Sequence, residues 1–372
     1  MRILSPHCGV AAESTSGGEA YERELLHRLA GPHYVSLLLT LGARERAPDA
    51  MWGGHFVVHT LPISRGLTWW LAPFLLLDRM RDLPRPDLLR VHSLKFIGPS
   101  ALYARRVFWP GVPLVAHHHH LELGEAHRIE RWVSDRMDRV IVGTRFALRQ
   151  MEQRGWRTDH VRVVPYGVDT ERFQPRPAPF VRARCNLAAD AKVVLYFGGL
   201  KPRKNVGRLL GIWERLAPLV PAAVLVIAGG GPLLDAYRSL VVSRRIQRVH
   251  FLGYVPEADK PSVYAMGDVF VFPSWLEGFG LPVLEAMASG LPCVVNDVSD
   301  FADWLDPADV LELSARDALR ADSDQRWAFR LARLLGDDTL RAEIGRRNRR
   351  MAETMTWDRC VSDTVKVYEE AL

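Results

Sequence analysis

Short apolar runs recur along this chain, and each is followed by a stretch long enough for a helix. The first half holds Arg2–Leu4, Tyr34–Leu39, Phe56–His59, Leu88–His92, Pro113–Ala116, Val140–Val142 and Val161–Val164. The second half holds Val193–Phe197, Val224–Ala228, Val249–Leu252, Val269–Phe272 and Cys293–Val295. Strands joined through helices pair in parallel by right-handed crossovers, and parallel strands are buried on both faces. These twelve runs predict two doubly wound α/β domains, which 372 residues accommodate.

The boundary falls in Pro165-Tyr-Gly-Val-Asp-Thr-Glu-Arg-Phe-Gln-Pro175-Arg-Pro-Ala-Pro179, which carries four prolines and no periodicity. The expected division is residues 1–165, a linker at 166–180, a second domain at 181–355 and a last helix at 356–372. That helix places Trp357, Val361, Val365 and Tyr368 on one face. A 48% apolar and 25% charged composition is that of a soluble globular protein. No secretory signal is visible behind Met1-Arg-Ile-Leu-Ser-Pro, which reads as a first strand. Cys8, Cys185, Cys293 and Cys360 are far apart with no Cys-x-x-Cys, so neither a zinc site nor a disulfide framework is suggested. A reducing cytoplasm is the expected location.

Charge is uneven. Residues 1–165 hold 22 Lys and Arg against 16 Asp and Glu, and the remainder holds 27 against 27. A basic first half suits a phosphorylated acceptor, an anionic membrane or nucleic acid, and equally suits an arginine-rich composition with no partner. Leu67-Thr-Trp-Trp-Leu-Ala-Pro-Phe-Leu-Leu-Leu77 is the longest apolar run, too short for a membrane span of about 20 residues. With Arg79, Arg81, Arg85, Arg90 and Lys95 behind it, it reads as a peripheral membrane contact or, more simply, a buried helix.

The densest chemistry lies in Phe272-Pro-Ser-Trp-Leu-Glu277-Gly-Phe-Gly-Leu-Pro-Val-Leu-Glu285-Ala-Met-Ala-Ser-Gly290-Leu-Pro-Cys-Val-Val295. A strand runs into a Gly-rich turn that opens a helix near Leu281. The amides of Gly278, Phe279 and Gly280 then face an anion such as a phosphate. Glu277 stands before that anion site. Glu285 stands about one turn into the helix, roughly 6–8 Å further on at 1.5 Å per residue. Two carboxylates flanking a phosphate cradle suit a sugar nucleotide. A second loop, Tyr196-Phe-Gly-Gly-Leu-Lys-Pro-Arg-Lys204-Asn205, also follows a strand and opens a helix. Ile227-Ala-Gly-Gly-Gly-Pro232 permits close backbone approach at the end of the next strand.

Glu-x7-Glu followed by Ala-x-Ala-x-Gly-x-Pro-x-Val-Val resembles the donor site of retaining, family-four glycosyltransferases of the GT-B fold. The resemblance covers nearly all of residues 161–372 and is patchier before. It implies two Rossmann-like domains facing a cleft: an N-terminal acceptor domain and a C-terminal nucleotide-sugar domain. The last helix would cross back to the N-terminal domain. Pro165-Tyr-Gly-Val-Asp resembles the family's inter-domain Pro-Asn-Gly-Val-Asp, with Tyr166 in place of Asn. Lys204 matches the lysine that holds the donor diphosphate. The family's arginine falls on Gly199, so Arg203 is the expected substitute cation. Glu277 would contact sugar hydroxyls and Glu285 the ribose, while Leu281 closes the amide turn. Leu252-Gly-Tyr-Val-Pro256 resembles the segment framing the nucleobase, which nominates Tyr254 and Val255. Ser14-Thr-Ser-Gly17-Gly18-Glu19 resembles the first Gly-rich loop, with Gly17 and Gly18 letting the backbone come close; a plain helix N-cap fits it too.

Val112-Pro-Leu-Val-Ala-His117-His118-His119-His120 is similar to the family's Val-Pro-x-Val-x-Thr-x-His, so His119 aligns with the active-site histidine. Four imidazoles also suggest metal, but in a strand at most two share a face, and buried structural histidines fit as well. The only Asp-x-Asp is Asp322-Ser-Asp324, at a helix start where capping accounts for it. The expected donor site therefore has no metal and no cofactor. The expected substrates are a UDP- or GDP-sugar and a hydroxyl acceptor, whether glycan, small molecule, anionic or lipid-linked. Rival expectations are a GT-B enzyme of phosphorylase-like or epimerase-like activity, or a non-catalytic nucleotide-sugar binding module. An oxidoreductase lacks its Gly-x-Gly-x-x-Gly after the first strand, and a nucleic-acid module leaves the donor motif unexplained.

Overall fold

The computed structural model describes residues 1–6, 17–40, 56–61, 80–95, 97–119, 126–188, 190–311 and 321–372. The apolar segment 67–77, Ser14, His120 and Cys8 lie outside the described residues. The chain divides into two compact units, Met1–Gly167 with Trp357–Leu372, and Val168–Thr356.

Among the described residues the first unit holds seven strands: β1 (Arg2–Pro6), β2 (Tyr34–Thr40), β3 (Phe56–Leu61), β4 (Leu88–Val91), β5 (Leu114–His118), β6 (Arg139–Val142) and β7 (Val161–Val163). They lie in the order β3-β2-β1-β4-β5-β6-β7, each pair parallel. The central strands β4 and β5 are buried along their whole length, as sandwiching between helices requires. Among the helices are α1 (Gly17–Leu29), α2 (Gly98–Val107), α3 (Ala126–Ser134) and α4 (Arg145–Gln153). Helix α1 buries Tyr21, Leu25, Leu26 and Leu29, a stripe at helical spacing. Helix α4 starts at Thr144, whose hydroxyl accepts from the Ala147 amide at 3.1 Å. The chain's last helix, Trp357–Glu369, belongs to this unit and lies against α1, its Trp357 ring 5.9 Å from that of Tyr21. Its buried stripe is Trp357, Cys360, Thr364, Val367 and Tyr368; Val361 and Val365 sit half-buried at its border.

The second unit holds β8 (Lys192–Phe197), β9 (Ala223–Ala228), β10 (Val249–Gly253), β11 (Val269–Phe272), β12 (Cys293–Asn296) and β13 (Val310–Leu311). The order is β10-β9-β8-β11-β12-β13, again all parallel. Strand β13 has two residues, too few for any pattern to show, and exists through its pairing with Val295 and Asn296. Its described helices are α5 (Pro179–Arg184), α6 (Val206–Leu216), α7 (Leu234–Ser243), α8 (Lys260–Ala265), α9 (Leu281–Ala288), α10 (Phe301–Trp304), α11 (Ala321–Gly336) and α12 (Asp338–Glu353). Trp213 of α6 and Trp327 of α11 are fully buried. Asp324, the second acid of the Asp-x-Asp, accepts from Arg208 at 2.7 Å, so it ties α11 to α6 rather than capping. The proline-rich stretch is anchored in this unit: the Val168 amide donates to Met355 at 2.9 Å, and Arg349 donates to the carbonyl of Phe173.

In each sheet the strand order reverses beside the first strand, between β1 and β4 and between β8 and β11. Chain leaving those strands at their carboxyl ends splays apart, which makes these two places the natural ligand positions.

Helix α12 approaches the turn after α9 so closely that a methyl group on Gly345 would stand 2.1 Å from the Gly290 carbonyl oxygen. Backbone on both sides leaves nothing flexible to give way. Gly345→Ala is expected to cost about 1–3 kcal/mol, the range for overpacking. A urea midpoint equal to that of the unmodified protein would show that the helix can retreat freely.

Candidate functional site

The switch point of the second sheet collects most of the motif residues. The loop leaving β8 winds through Pro202–Lys204 in one 3-10 turn and enters α6 at Asn205, which adopts a left-handed conformation, φ 58°. The loop leaving β11 runs Pro273–Gly280 into α9. The two loops are stitched together by backbone and side chain. The Trp275 amide donates to the Arg203 carbonyl at 2.8 Å, the Asn205 amide group to the Pro273 carbonyl at 3.1 Å, and the Arg203 guanidinium to the Leu276 carbonyl at 2.8 Å. Gly280 has φ 97°, and a methyl group there would meet the Phe301 ring at 2.5 Å, so only glycine makes this turn. Phe279 is buried behind it against Trp304, and Leu281 is buried at the first turn of α9.

Glu277 is buried between two cations: Lys204 Nζ donates to its Oε1 at 2.6 Å and Arg203 to the same atom at 3.2 Å. Burial opposes the charged form of Glu277, but Lys204 and then Arg203 outweigh it and hold the carboxyl below its ordinary range. Lys204 is shifted down by burial, with Arg203 and Lys201 adding to the repulsion and Glu277 only partly offsetting them. Two cations share one acid here. That is an excess of positive charge, half of it sealed from water, beside the amino end of a helix. Such a place stabilises an incoming anion.

Glu285 lies one turn into α9, as the spacing predicts, in a second polar group. Its Oε2 accepts from the Tyr264 hydroxyl at 2.7 Å, and its Oε1 lies 3.8 Å from Lys260 Nζ. Burial raises its carboxyl above the ordinary value, with Lys260 and Tyr264 only partly countering. Gly230 of the turn after β9 comes against Tyr254, which is half exposed, while Val255 is buried. Tyr264 and Lys260 were not singled out by sequence; Lys260 is one of only six lysines, and that scarcity is the signal that was available.

In the first unit, His117 and His119 turn to one side and His118 to the other, towards Trp156. Arg90, fully buried in the middle of β4, makes a two-pronged pair with Glu22 of α1 at 2.5 and 2.7 Å. His119 donates from Nε2 to Glu22 at 2.7 Å, and the Tyr166 hydroxyl meets its Nδ1 at 2.5 Å. Tyr368 accepts from Arg90 Nε at 3.0 Å, which leaves its own proton for His117 Nε2 at 2.9 Å and leaves His117 Nδ1–H for Tyr21 at 3.2 Å. Burial, then Arg90, push the His117 imidazole down and keep it neutral, and burial brings His92 to about 4. Polar atoms of Glu22, His117 and His119 fall within 4.8 Å of one another. Each of them already has a protein partner, and Arg90 matches the acid's charge, so the set is satisfied without an ion. Gly18 faces His119 Cβ at 3.9 Å and Gly17 has no described neighbour within 4 Å of an added methyl, so neither is sterically required by the described protein. Glu22 was not singled out in the sequence, and Arg90, counted there among the basic residues of a peripheral membrane contact, is instead buried in β4, where an arginine inside Leu88-Leu-Arg-Val91 demands a buried partner.

Glycosyltransferase Family 4 matches residues 15–172, and Glycosyl transferases group 1 matches residues 179–351. O-antigen chain mannosyltransferase B of Escherichia coli is 32% identical over 47% of this chain and 45% of that protein. D-inositol 3-phosphate glycosyltransferase of Saccharomonospora viridis is 32% identical over 65% of this chain and 58% of that protein. The chain thus spans about half the length of the curated relatives it matches. Among solved structures, sucrose-phosphate synthase of Thermosynechococcus elongatus superposes with a TM-score of 0.84 at 19% identity, covering 100% of this chain and 98% of that one. HepE of Anabaena, in complex with UDP and glucose, gives 0.79 at 19% identity, covering 99% of each. These likenesses show the fold.

The Glu22–Arg90 pair yields a stability prediction. Burial resists charge on Glu22, yet Arg90 and His119 hold its carboxyl well below the usual range. A depressed acid stabilises the fold above its unfolded value, about 4.3, and loses that contribution as pH falls through the folded value. Arg90→Met leaves the acid buried and unmatched, so at pH 7 it should cost about 3–5 kcal/mol. The gap between variant and unmodified protein should shrink towards pH 4.5, where Glu22 of the variant takes up a proton. Urea unfolding at both pH values checks this, and a gap independent of pH would contradict it.

Proposed function

Because this chain belongs to the group 1 glycosyl transferases and has their GT-B fold, we propose that its second unit binds a nucleotide-diphosphate sugar. The chain then moves a hexose from that donor to a hydroxyl acceptor, without a metal and with retention of configuration. The observation that carries this reading is the shared carboxylate, Glu277, held by Lys204 at 2.6 Å and Arg203 at 3.2 Å at the switch point of the sheet. The relatives support the substrate class: their names record mannosyl transfer and glycosyl transfer to D-inositol 3-phosphate, and HepE holds UDP and glucose.

On this reading the ion pair is a placeholder. When the diphosphate enters, Lys204 exchanges Glu277 for phosphate oxygen, and Glu277 is released towards the sugar hydroxyls. Lys204, Arg203 and the amides of Gly278, Phe279 and Gly280 take the charge that develops on the leaving group. The bond from the anomeric carbon to phosphate oxygen breaks with its electron pair going to the diphosphate. The acceptor oxygen bonds to that carbon from the same face, and its proton passes to the departing diphosphate. Glu285 receives the ribose hydroxyls, and Tyr254 and Val255 border the base. His119, oriented by Glu22 and Tyr166 beside Gly18, is the candidate active-site histidine that faces the transferred sugar. The basic first unit favours an anionic or lipid-linked acceptor, with peripheral contact to a membrane.

A panel of UDP- and GDP-sugars tested by calorimetry and turnover should give one saturating donor. Lys204→Ala should weaken its binding roughly 10- to 100-fold, the worth of a hydrogen bond to a charged group. Arg203→Ala should weaken it as well; unchanged affinity there would mean that Arg203 only braces the turn and does not replace the arginine missing at Gly199. Glu277→Gln should lower turnover about 10²-fold or more. EDTA should leave turnover unaffected, and an EDTA-sensitive rate would overturn the metal-free mechanism. If turnover with every sugar nucleotide survives replacement of both Glu277 and Glu285 by glutamine, the donor-site assignment is wrong.

A further inference from the structure

Glu285 is a carboxylate that the protein has made hard to keep charged, in a position where the proposed donor needs it charged. A ribose offers two hydroxyl donors, and only an ionised carboxyl accepts from both without a proton of its own in the way. Around Glu285 the second unit builds two supports. The Tyr264 ring is fully buried, stacked on Phe197 with centroids 5.0 Å apart and set edge-on to Phe173 at 5.7 Å. Its hydroxyl is therefore fixed in place, and it donates to Glu285 Oε2 at 2.7 Å. Lys260, one turn earlier on α8, lies over Phe197 with Nζ 5.7 Å from the ring centroid, 3.8 Å from Glu285 Oε1 and 2.6 Å from Glu257 Oε1. Glu257 is paired in turn with Arg172 at 3.3 Å. Four charges of alternating sign, Arg172, Glu257, Lys260 and Glu285, thus end on the carboxylate.

We propose that Tyr264 and Lys260 are positioning residues for the donor's ribose: they orient the Glu285 carboxylate and keep it ionised so that it accepts both ribose hydroxyls. This rests on the donor-site reading given above. The groups facing Glu285 are Lys260 and Tyr264 from α8, Glu257 from the loop before it and Arg172 from the proline-rich stretch. Lys260 and Arg172 favour the charged form, Glu257 opposes it, and burial opposes it most, so the carboxyl sits above its ordinary value. Donor binding is then full above that value and falls as pH drops through it. Removing either support moves the fall to higher pH.

The test is calorimetric binding of UDP-glucose and GDP-mannose between pH 5 and 8, to the unmodified chain and to Tyr264→Phe, Lys260→Met and Glu285→Gln. These donors carry diesterified diphosphates that hold no titrating proton in that range, so the pH dependence belongs to the protein. The unmodified chain should lose affinity on acidification. Tyr264→Phe and Lys260→Met should bind about tenfold more weakly near pH 6 and recover most of that deficit by pH 8. Glu285→Gln should bind weakly throughout, with the acidic limb gone. Should Tyr264→Phe fail to fold, Lys260→Met, which removes only a partly exposed cation, decides the question alone. An acidic midpoint that stays put in Lys260→Met and in every folded variant overturns the positioning role while leaving the donor site intact. If neither sugar nucleotide binds the unmodified chain at any pH, the donor-site reading falls and this inference falls with it.

Discussion

A parallel sheet covered on both faces leaves its carboxyl edge as the one place where backbone loops, helix amino ends and side chains converge without burying unpaired polar groups. Both buried polar clusters of this chain follow from having two such sheets. In the second unit the reversal between β8 and β11 brings Lys204 and Glu277, seventy-three residues apart, to 2.6 Å. In the first, the reversal between β1 and β4 sets Arg90 of the sheet under Glu22 of α1. Neither contact is a property of local sequence; both are consequences of strand order.

The two units handle buried charge in opposite ways. Glu22 and Arg90 match one for one, with His119, Tyr166, His117, Tyr21 and Tyr368 closing the remaining hydrogen bonds. A network satisfied in this way is rigid. At Glu277 two cations share one carboxylate and the loop between them ends at a helix amino end. That set is incomplete by one negative charge. One cluster is matched in charge and the other carries an excess of cation, although both contain a buried glutamate with a depressed carboxyl.

Much of this was legible beforehand, for definite reasons. Strands β1 to β12 announce themselves because parallel strands need continuous apolar runs, whereas β13 has two residues and depends on β12 for its existence. The Glu277-to-Glu285 segment was readable because turn glycine, helix start and both acids are contiguous. Gly280 in particular is demanded by its positive φ and by Phe301 behind it. The supports of those acids were not readable, because they arrive from other strands. Tyr264 reaches Glu285 only through the packing of α8 on Phe197, and Arg90 reaches Tyr368 across 278 residues. The histidine run shows the same limit. Strand alternation correctly separates His118 from His117 and His119, but nothing local reveals that Glu22 and Tyr166 already engage both nitrogens of His119.

That occupancy bears on how the first unit contributes. An imidazole whose two nitrogens are engaged at 2.5 and 2.7 Å presents only its carbon edge and its neighbours' backbone to anything nearby. Gly18, 3.9 Å from His119 Cβ, is such a neighbour. Tyr166 is buried beside this histidine. It fits because Gly143 leaves the space: a methyl group there would stand 2.6 Å from the tyrosine ring. The tyrosine ring also lies 4.1 Å from that of Tyr21. Residue 166 thus contributes a hydroxyl to His119 and an aromatic face to α1 at once, and Gly143, just past β6, leaves the room that its ring needs. The imidazole is thereby held in one orientation, between the carboxylate of α1 and a buried phenol, with its ring 4.8 Å from that of Tyr21.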